Sequence, residues 1–298
     1  MDGVLVIDKP QGLTSHDVVA AARRLLRERR IGHTGTLDPL ATGVLPLVCG
    51  RATRLVRFFI SSDKDYEAMV RFGLSTDSYD ITGEATSHSG GVPSPAAIEA
   101  ALAPLRGEYL QTPPAFSAKK VAGERAYARV RRNEPVNLVS VPVRVTRADL
   151  LDCTGASARI ALTCSTGFYV RSFAHALGEL VGTGACLESL RRTRSGEFSL
   201  DRAVDLEQVR QSSALFAERW ISLDRLLPHF PSIRLDDEAR RRVGHGQILA
   251  LARLATGGHG EDRHSSEWFR LVDAEDRLIA LGTADETGEF LHPAVVLI

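Results

Sequence analysis

The apolar residues at the start of the chain form short runs separated by turn-forming residues, which predicts a sheet with flanking helices. Residues Gly3–Asp8 are apolar and β-branched, as expected of a buried strand. Thr14 or Ser15 can cap a helix that continues to about Arg29 and keeps its apolar positions on one face. Further strands are predicted at Val44–Val48 and at Asp65–Phe72, where Tyr66, Ala68, Val70 and Phe72 share one face.

The middle of the chain alternates between turn-rich and periodic segments. Residues Leu74–Pro95 are predicted to be turn-rich and exposed, and Gln111–Pro114 to be irregular. Val139–Leu151 and Ala158–Cys164 are predicted to pair as strands, and short helices are expected within residues 203–230. The remaining predicted helices are Pro95–Leu105, the basic segment Gly123–Arg132, and Val170–Val181 with Phe173, Ala174, Leu177 and Leu180 facing inward.

A domain boundary is predicted near Pro228–Ser232, which divides the chain into residues 1–230 and 231–298. A chain of 298 residues is long enough for two domains. The second part is predicted to be a compact, β-rich module. Its expected elements are a brief helix and three short strands, at Asp236–Val243, Phe269–Val272, Leu278–Gly282 and Ala294–Leu297.

The composition is that of an ordinary globular protein, with 44% hydrophobic and 25% charged residues. No apolar run approaches the roughly 18 residues needed to cross a bilayer. The N-terminal residues lack a basic region followed by a long apolar stretch, so no secretory signal is expected. We therefore expect the protein to work in the cytoplasm and away from membranes.

The formal net charge is zero, but the charge is unevenly distributed. Residues 1–234 carry 30 basic and 25 acidic groups, whereas residues 235–298 carry seven basic and twelve acidic groups. Local basic patches matter more for RNA affinity than the total charge. Three basic clusters occur, at Arg23–Arg30, Lys119–Arg132 and Arg191–Arg194, and each is compatible either with RNA contact or with a solvated surface.

The spacing of cysteines and histidines gives no sign of a metal site. The four cysteines form no CxxC pair, and the nine histidines include no HExxH motif. Free thiols in a reducing compartment are therefore expected, and no catalytic metal is predicted.

The segment Gly32–Gly43 is the densest cluster of turn-forming and polar residues in the chain. Asp38 lies directly before Pro39, which restricts Asp38 towards extended backbone conformations. Gly35 permits backbone angles that other residues avoid. Such a loop can hold one carboxylate in a fixed orientation for chemistry, or it can be a turn in which Asp38 bonds nearby backbone amides. The local pattern leaves both interpretations open.

Six motifs along the chain resemble those of the TruB family of pseudouridine synthases and occur in the same order. They are Asp8–Ser15, Gly32–Pro39, Ser62–Tyr66, Thr112–Lys120, Gly167–Ser172 and Leu190–Gly196. The resemblance covers the chain from about Asp2 to Ser199. Beyond it, the C-terminal module resembles the PUA domain that is attached to these enzymes.

The resemblance implies an α+β protein. Residues 1–230 would form the pseudouridine synthase catalytic fold, a mixed and mainly antiparallel sheet with flanking helices, and an RNA-gripping thumb would be inserted at about 110–136. Residues 231–298 would form a small, β-rich, PUA-like RNA-binding domain. The implied activity is isomerisation of uridine 55 in the T-arm loop of tRNA to pseudouridine, by base flipping and an aspartate nucleophile. No group is gained or lost in this reaction, so no cofactor is expected.

The resemblance also assigns roles to individual residues. Asp38 matches the catalytic aspartate, and Arg171 matches the arginine that would keep it charged and aimed. Tyr66 matches the tyrosine that stacks on the target base and is a candidate to take its C5 proton. His33 matches the histidine that enters the space left by the flipped uridine.

Further matches concern the base pocket and RNA binding. Tyr169 and Leu190 match positions that line the pocket, and Lys120 lies on the basic insertion that resembles the thumb. For Lys9 and Pro10 a structural role at the end of a strand is favoured. The implied partner is the T-arm of tRNA, no guide RNA is expected, and the protein is expected to be a monomer.

Two other interpretations use the same scaffold. An RNA-guided synthase of the Cbf5 or dyskerin type shares the catalytic core and the PUA domain, but it has longer termini, and its eukaryotic forms carry lysine-rich tails. This chain ends at Ile298 without such a tail, which favours a guide-independent enzyme. A non-catalytic RNA-binding or RNA-folding protein would be expected to lack Asp38, Tyr66 or Arg171, and all three are present.

Overall fold

The structure of the chain is a computed structural model. It describes residues 1–116, 120–121, 124–125, 132, 138–251 and 267–298. These residues form a ten-stranded sheet with helices packed on it, a five-stranded C-terminal sheet and two short hairpins. The α+β class, with a large mixed sheet followed by a small β-rich part, is confirmed.

The longest strands belong to the large sheet, and the other strands are short. Numbered along the chain, they are β1 Gly3–Lys9, β2 Ile31–His33, β3 Ala41–Cys49, β4 Lys64–Phe72, β5 Leu74–Thr76, β6 Ala85–His88, β7 Gly107–Gln111, β8 Lys120–Val121, β9 Glu124–Arg125, β10 Val141–Thr154, β11 Ser157–Cys164, β12 Ala185–Ser195, β13 Phe198–Ser199, β14 Ile221–Ser222, β15 Ser232–Arg234, β16 Leu249–Ala250, β17 Phe269–Val272, β18 Leu278–Ala284 and β19 Phe290–Val296.

The helices flank these strands. The α-helices are α1 Ser15–Leu26, α2 Val56–Ile60, α3 Pro95–Leu102, α4 Val170–Leu180, α5 Leu206–Gln211, α6 Ser213–Arg219 and α7 Asp237–Gly244. Short 3-10 helices span Gly50–Leu55, Ala103–Leu105, Leu200–Arg202 and Leu223–Arg225. Within the described ranges, no helix is both long and apolar enough to cross a membrane.

The large sheet is mainly antiparallel, with the order β14-β1-β3-β12-β4-β11-β10-β7. Strand β2 pairs with β3 outside this path, and β13 pairs with β12. The contact between β3 and β12 is parallel, and it aligns Gly43 with Arg192. Gly43 has a φ of 98°, and a Cβ added there would lie 2.2 Å from the carbonyl oxygen of Arg192. Glycine is therefore required where these two strands pair, next to the Asp38 loop.

Helix α1 begins where the pattern predicts it. Thr14 is the N-cap: its hydroxyl accepts a hydrogen bond from the Asp17 N–H, and the Asp17 carboxylate accepts one from the Thr14 N–H. This reciprocal pair satisfies two backbone donors that the first turn of a helix leaves free. The helix ends at Leu26, earlier than predicted, because Arg27 adopts a left-handed conformation with a φ of 51°.

The main core lies between the sheet and helices α1, α3 and α4. Helix α4 contributes Phe173, Ala174 and Leu177, which are fully buried as predicted. The prediction that Leu180 faces inward is wrong, because its side chain is 52% exposed at the last position of the helix. At the end of a helix the facing strand no longer covers the apolar stripe.

The prediction that Leu74–Pro95 is turn-rich and exposed is wrong for its first part. Strands β5 and β6 form a hairpin there, and Ser75, Thr76, Ser78 and Asp80 are buried. The backbone of this loop is anchored to β12, because the Leu187 N–H donates to the Tyr79 carbonyl at 2.9 Å. Polar composition indicated a surface loop, whereas long-range contacts bury it.

Two further differences concern strands. Gln111, predicted to be irregular, is the last residue of β7 and is 4% exposed. The strand Ala185–Ser195 was not among the predicted elements, although it lies at the centre of the sheet between β3 and β4. Its second half contains three arginines, so its residue types do not resemble those of a buried strand.

The proposed thumb is described only in part. Strands β8 and β9 pair antiparallel, with Lys120 opposite Arg125 and Val121 opposite Glu124. The predicted helix at Gly123–Arg132 is therefore wrong at Glu124–Arg125, which are extended. Most of the rest of that predicted helix lies outside the described residues.

The C-terminal sheet has the order β15-β17-β18-β19-β16 and a core of its own. The predicted helix and three strands of this part are present, and the last strand begins at Phe290 rather than Ala294. A second apolar cluster joins this sheet to the large one, through Val272, Leu278, Leu281 and Leu297 on one side. The two-domain division remains a prediction.

We expect removal of residues 231–298 to lower the thermal stability of the remaining chain. The truncation exposes the large sheet's share of that joint cluster, and it removes the bonds from Arg51 to the Leu297 carbonyl and from Arg54 to the Val296 carbonyl. Each kcal/mol lost lowers the melting temperature by about 2–4 °C in a protein of this size. Thermal unfolding of both chains measures the effect, and equal melting temperatures would show that the two parts fold independently.

Candidate active site

A cleft of about 270 Å³ opens between the Asp38 loop, the end of α2, strand β4 and the start of α4. Its wall includes five of the seven predicted site residues: Asp38, Tyr66, Tyr169, Arg171 and Leu190. These residues come from four separate parts of the sequence, and the sheet brings them together. The volume is near the lower end of the range of small-molecule pockets, roughly 300–1,000 Å³.

The loop that carries Asp38 is held on both sides of this residue. The buried Ser15 hydroxyl donates to the Leu37 carbonyl at 3.1 Å and accepts from the Leu37 N–H at 2.8 Å. On the other side, the Gly12 N–H donates to the Pro39 carbonyl at 2.8 Å, and the Ala41 N–H donates to the Asp38 carbonyl at 3.0 Å. Two TruB-like motifs, the one at Asp8–Ser15 and the one at Gly32–Pro39, therefore meet to fix one loop.

Arg171 binds the Asp38 carboxylate directly. Its Nε lies 2.9 Å from Asp38 Oδ2, and the Arg171 side chain is 7% exposed while that of Asp38 is 44% exposed. Its other nitrogens donate to the Ser78 carbonyl at 3.0 Å and to the Phe116 carbonyl at 2.9 Å. The guanidinium is thus a buried and fixed group that orients a carboxylate open to the cleft. This arrangement favours the first of the two interpretations of the loop, a carboxylate held for chemistry.

Asp80 is a second carboxylate beside Arg171, and the motif pattern did not indicate it. Its Oδ2 lies 3.7 Å from Arg171 Nη1. Its Oδ1 accepts hydrogen bonds from the Ser78 hydroxyl, the Thr82 N–H and the Thr82 hydroxyl, at 3.0, 3.0 and 2.5 Å. Asp80 is 6% exposed, and so it is a fixed buried charge that faces a different nitrogen of Arg171 from the one that binds Asp38. An aspartate in a polar, turn-rich stretch ordinarily caps a turn, and only the folded sheet shows its distant partner.

We expect Asp80→Asn to lower turnover while RNA affinity changes little. The amide keeps the shape and the acceptor for Thr82, but it removes the negative charge that restrains Arg171. A charge-assisted contact of this kind contributes about 1.5 kcal/mol or more, so the rate should fall about tenfold or more. Single-turnover rates measure the loss. Asp77→Asn is the matched control, because Asp77 lies on the same loop and its carboxylate accepts only from the Glu84 N–H among the described hydrogen bonds. Equal rates for both variants would contradict the coupling.

An aromatic stack braces the loop that carries Asp80. The rings of Tyr79 and His175 are parallel, with centroids 4.0 Å apart and an interplanar angle of 5°. Tyr79 has a φ of 64°, which is unfavourable for a residue with a side chain, so other contacts must hold it. His175 lies one helical turn after Arg171 on α4, and the stack therefore ties the loop to the helix that carries the arginine.

Tyr66 is half-buried on β4, and it packs against the main core while its ring faces the cleft. Burial raises the pKa of its phenol, and the nearby Arg192 guanidinium opposes this only in part. The phenol is therefore protonated at neutral pH, which is unfavourable for a group that would accept the C5 proton as a phenolate. Stacking on a base is compatible with this state.

Tyr169 precedes helix α4 and is positioned through its backbone. The Gln111 side-chain amide donates to the Tyr169 carbonyl at 3.1 Å, and its oxygen accepts from the Tyr169 N–H at 2.8 Å. The buried Gln111 thus fixes the entry of the chain into α4, whose first turn contains Arg171. Leu190 on β12 is 8% exposed and adds an aliphatic side chain to the cleft wall.

Of the two remaining predicted residues, His33 is not in the cleft wall, and the side chain of Lys120 lies outside the described part of the chain. His33 lies at the end of β2, directly before Thr34, which lines the cleft. Its Nδ1 accepts a hydrogen bond from the Gly35 N–H at 3.3 Å, and burial lowers its pKa, so the imidazole is neutral at pH 7. Lys120 lies in the β8–β9 hairpin, where its backbone alone is described.

Lys9 and the cysteines have no part in the cleft wall. The Lys9 ammonium is completely buried and donates to the carbonyls of Pro10 and Leu13, at 2.8 and 2.5 Å, which fits a structural role at the end of β1. All four cysteines are free thiols, as predicted. Burial raises the pKa of Cys49 and Cys164 to about 12, so these thiols stay protonated and unreactive.

Comparison with known families accounts for most of the chain. Residues 23–170 match the N-terminal domain of the TruB family pseudouridylate synthases, and residues 171–229 match the C-terminal domain of tRNA pseudouridylate synthase B. A tRNA pseudouridine synthase B from Solibacter usitatus is 45% identical over the full length of both chains. One from Aromatoleum aromaticum is 40% identical over 97% of this chain and 90% of its own.

Solved structures agree with this assignment. A chain of a Cbf5–Nop10–Gar1 complex has a TM-score of 0.72 at 27% identity, and the match covers 95% of this chain and 78% of that one. A chain of an H/ACA ribonucleoprotein bound to a substrate RNA containing 2′-deoxyuridine has a TM-score of 0.74 at 24% identity, over 99% of this chain and 85% of that one. The second likeness concerns the fold alone.

The fold and these matches define a pseudouridine synthase, which is an isomerase. The chain belongs to the TruB family of these enzymes. The resemblance drawn from the six motifs is therefore confirmed.

Proposed function

We propose that this enzyme converts uridine 55 in the T-arm loop of tRNA to pseudouridine, with Asp38 as the nucleophile and without a cofactor. The C1′–N1 bond of the uridine breaks, the base turns and a C1′–C5 bond forms. The C5 proton then leaves and N1 gains a proton, so no atom is gained or lost overall. The observation that carries the proposal is the Asp38 carboxylate, held at 2.9 Å by the buried Arg171 and open to a cleft of base-binding residues. A fixed carboxylate can act as a covalent nucleophile.

Base flipping follows from where the carboxylate lies. Asp38 is inside a cleft rather than on a flat surface, so a nucleotide must leave its stack to reach it. Tyr66 and Leu190 provide an aromatic and an aliphatic surface for the extruded ring, and Tyr169 lines the same cleft. The neutral His33, just outside the cleft wall, is positioned to stack in the space that the base leaves.

The choice of tRNA as the substrate rests on the relatives, which are named tRNA pseudouridine synthase B and are similar to this chain over its whole length. We further propose that the protein acts as a monomer in the cytoplasm, and that the thumb containing Lys120 and the PUA-like part at residues 231–298 add contacts to the RNA. A polyanionic substrate agrees with the excess of basic groups in residues 1–234.

The alternative is an RNA-guided enzyme, and its basis is the similarity of this chain to a chain of a Cbf5–Nop10–Gar1 complex. Guide independence is tested by incubating the purified protein with a bare T-arm hairpin and measuring pseudouridine by mass spectrometry. We expect one modified uridine in the loop without any other RNA or protein. A hairpin that stays unmodified until a guide RNA is added would contradict the proposal.

A non-catalytic RNA-binding role is less well supported, because Asp38, Tyr66 and Arg171 are all present and meet in one cleft. The same hairpin assay separates the two roles. Tight binding of the hairpin without any turnover would favour an RNA-folding protein.

A further inference from the structure

The described part of the large-sheet region buries more positive than negative charge around the Asp38 loop. Lys9, Lys64, Arg171 and Arg192 are all at most 6% exposed. The carboxylates in ion pairs with these cations are the buried Asp80 and the partly exposed Asp38, and Arg171 contacts both. Asp17 and Asp63 act on Lys9 and Lys64 electrostatically without forming an ion pair. Two of the four cations, Lys64 and Arg192, line the cleft without an ion pair to any described carboxylate.

Lys64 and Arg192 donate to backbone carbonyl oxygens, and Arg192 also interacts with the Tyr66 hydroxyl, which is neutral. The Lys64 ammonium donates to the carbonyls of Ile60 and Ser62, which lie at and just beyond the end of α2. The Arg192 guanidinium donates to the Val44 carbonyl at 2.7 Å and to the Gly35 carbonyl at 3.0 Å. These bonds fix the two side chains, but they do not neutralise their charges.

Lys64 and Arg192 are neighbours, and both lie beside Tyr66 in the cleft wall. A Cβ placed on Gly35 would lie 3.3 Å from Arg192 Nη1 and 4.0 Å from Lys64 Cε, so a glycine at this position leaves room for both. In the pairing of β12 with β4, Arg192 is opposite Tyr66, and Lys64 is two residues before Tyr66 on the same strand. Positive charge is therefore concentrated beside the surface proposed to hold the base.

Buried charges without a counter-charge are costly, and proteins retain them where a ligand or a reaction step supplies the opposite sign. The proposed reaction supplies it. When the C1′–N1 bond breaks, the bonding pair stays on N1, and the negative charge spreads to the O2 and O4 oxygens of the uracil ring. The charge returns to the Asp38 carboxylate when C5 bonds to C1′ and the bond between Asp38 and C1′ breaks. The C5 proton then leaves, and N1 takes up a proton, so the product is an isomer of the substrate.

We propose that Lys64 and Arg192 are catalytic residues that stabilise the negative charge on the detached uracil, on the condition that the function proposed above holds. They form a preorganised, water-poor positive wall, which acts most strongly on charge that develops during the reaction. The position beside Tyr66 favours the ring rather than the flanking phosphate as the anion that they meet.

The first test compares Lys64→Met with Lys64→Arg in the full-length protein. We expect the methionine variant to bind the T-arm hairpin with an affinity within about twofold of wild type, but to react about 10²-fold more slowly in single-turnover assays. The arginine variant, which restores the charge, should recover most of the rate. Loss of affinity instead of rate would show a phosphate contact and overturn the proposal, as would equal rates in the methionine variant and wild type.

The pH dependence provides a second test that does not need the methionine variant to fold. Burial, and to a smaller extent the nearby Arg192, lower the pKa of Lys64 to about 8 against the opposing effects of Cys164 and Asp63. The charged form is thus present below pH 8 and is lost as the pH rises through that value. We expect the wild-type rate to fall there and the Lys64→Arg rate to persist to higher pH. Identical alkaline profiles would overturn the role of Lys64.

A third comparison separates the ring from the phosphate. A hairpin with 5-fluorouridine at the target position carries a ring that stabilises negative charge by itself, so it should depend less on Lys64. We expect the rate ratio of wild type to Lys64→Met for C1′–N1 cleavage to be smaller with this substrate than with uridine, and equal ratios would contradict the proposal. A wild-type protein that forms no pseudouridine would instead refute the proposed function itself.

Discussion

Replacing Asp38 with asparagine is expected to abolish turnover while the fold and RNA binding persist. The amide keeps the size of the side chain and can still face Arg171, but it lacks the negative charge and the nucleophilic oxygen. The loop itself is held by Ser15 and Gly12 rather than by the Asp38 carboxylate, so the backbone should not move. The single-turnover rate on the T-arm hairpin should fall by at least about 10³-fold, or about 4 kcal/mol of barrier.

The matched control for this variant is Asp65→Asn. Asp65 also binds an arginine through two short bonds, to Arg194 at 2.6 and 2.8 Å, and it lies on the same strand as Tyr66 but outside the cleft. Asp65→Asn should leave turnover near wild type. The ion pair that it removes is partly exposed and contributes little to stability, and it lies outside the cleft. Residual activity of Asp38→Asn within tenfold of wild type would rule out Asp38 as the nucleophile.

Replacing Arg171 with lysine is expected to produce the second largest loss. The guanidinium bonds Asp38, the Ser78 carbonyl and the Phe116 carbonyl at the same time, and it faces Asp80 as well. A lysine keeps the charge, but its single ammonium cannot reproduce this planar set of contacts. We expect turnover to fall by about 10²-fold while the dissociation constant for the hairpin changes little, since the group is buried behind Asp38.

Arg194→Lys is the control for this second variant, because it weakens an equivalent arginine–aspartate pair outside the cleft. A double variant adds a sharper criterion. If Arg171 acts only by orienting Asp38, the Asp38→Asn/Arg171→Lys protein should be no slower than Asp38→Asn alone, since coupled residues are not additive. An additive loss, or unchanged turnover in Arg171→Lys, would mean that Arg171 does not position Asp38.

The Asp38 loop could be located from sequence because its chemistry is local. A proline after the aspartate, nearby glycines and an upstream capping threonine are all visible within about forty residues, and the motif order carries the resemblance. The pairing of Arg171 with Asp38 is implied by that resemblance, and the spacing of the two residues in the sequence does not predict it. The structure then gives the physical reason, since helix α4 begins where its first turn faces the loop.

The residues that were missed depend on contacts between distant segments. Asp80 and Tyr79 lie in a polar stretch that sequence rules assign to the surface, yet strand β12 covers it. Lys64 and Arg192 are charged residues, which sequence rules place outside the core, and only the paired strands bring them to the cleft wall. Buried charge around a reaction site is the feature that propensity and periodicity predict least well.

The central claim is most directly tested by mapping pseudouridine at single-nucleotide resolution in tRNA from cells that lack this protein. We predict that pseudouridine is lost at uridine 55 of the T-arm loop and at no other tRNA position. Wild-type protein should restore it, and Asp38→Asn should not. Pseudouridine that persists at uridine 55 in these cells, or that is restored by the asparagine variant, would contradict the proposed function.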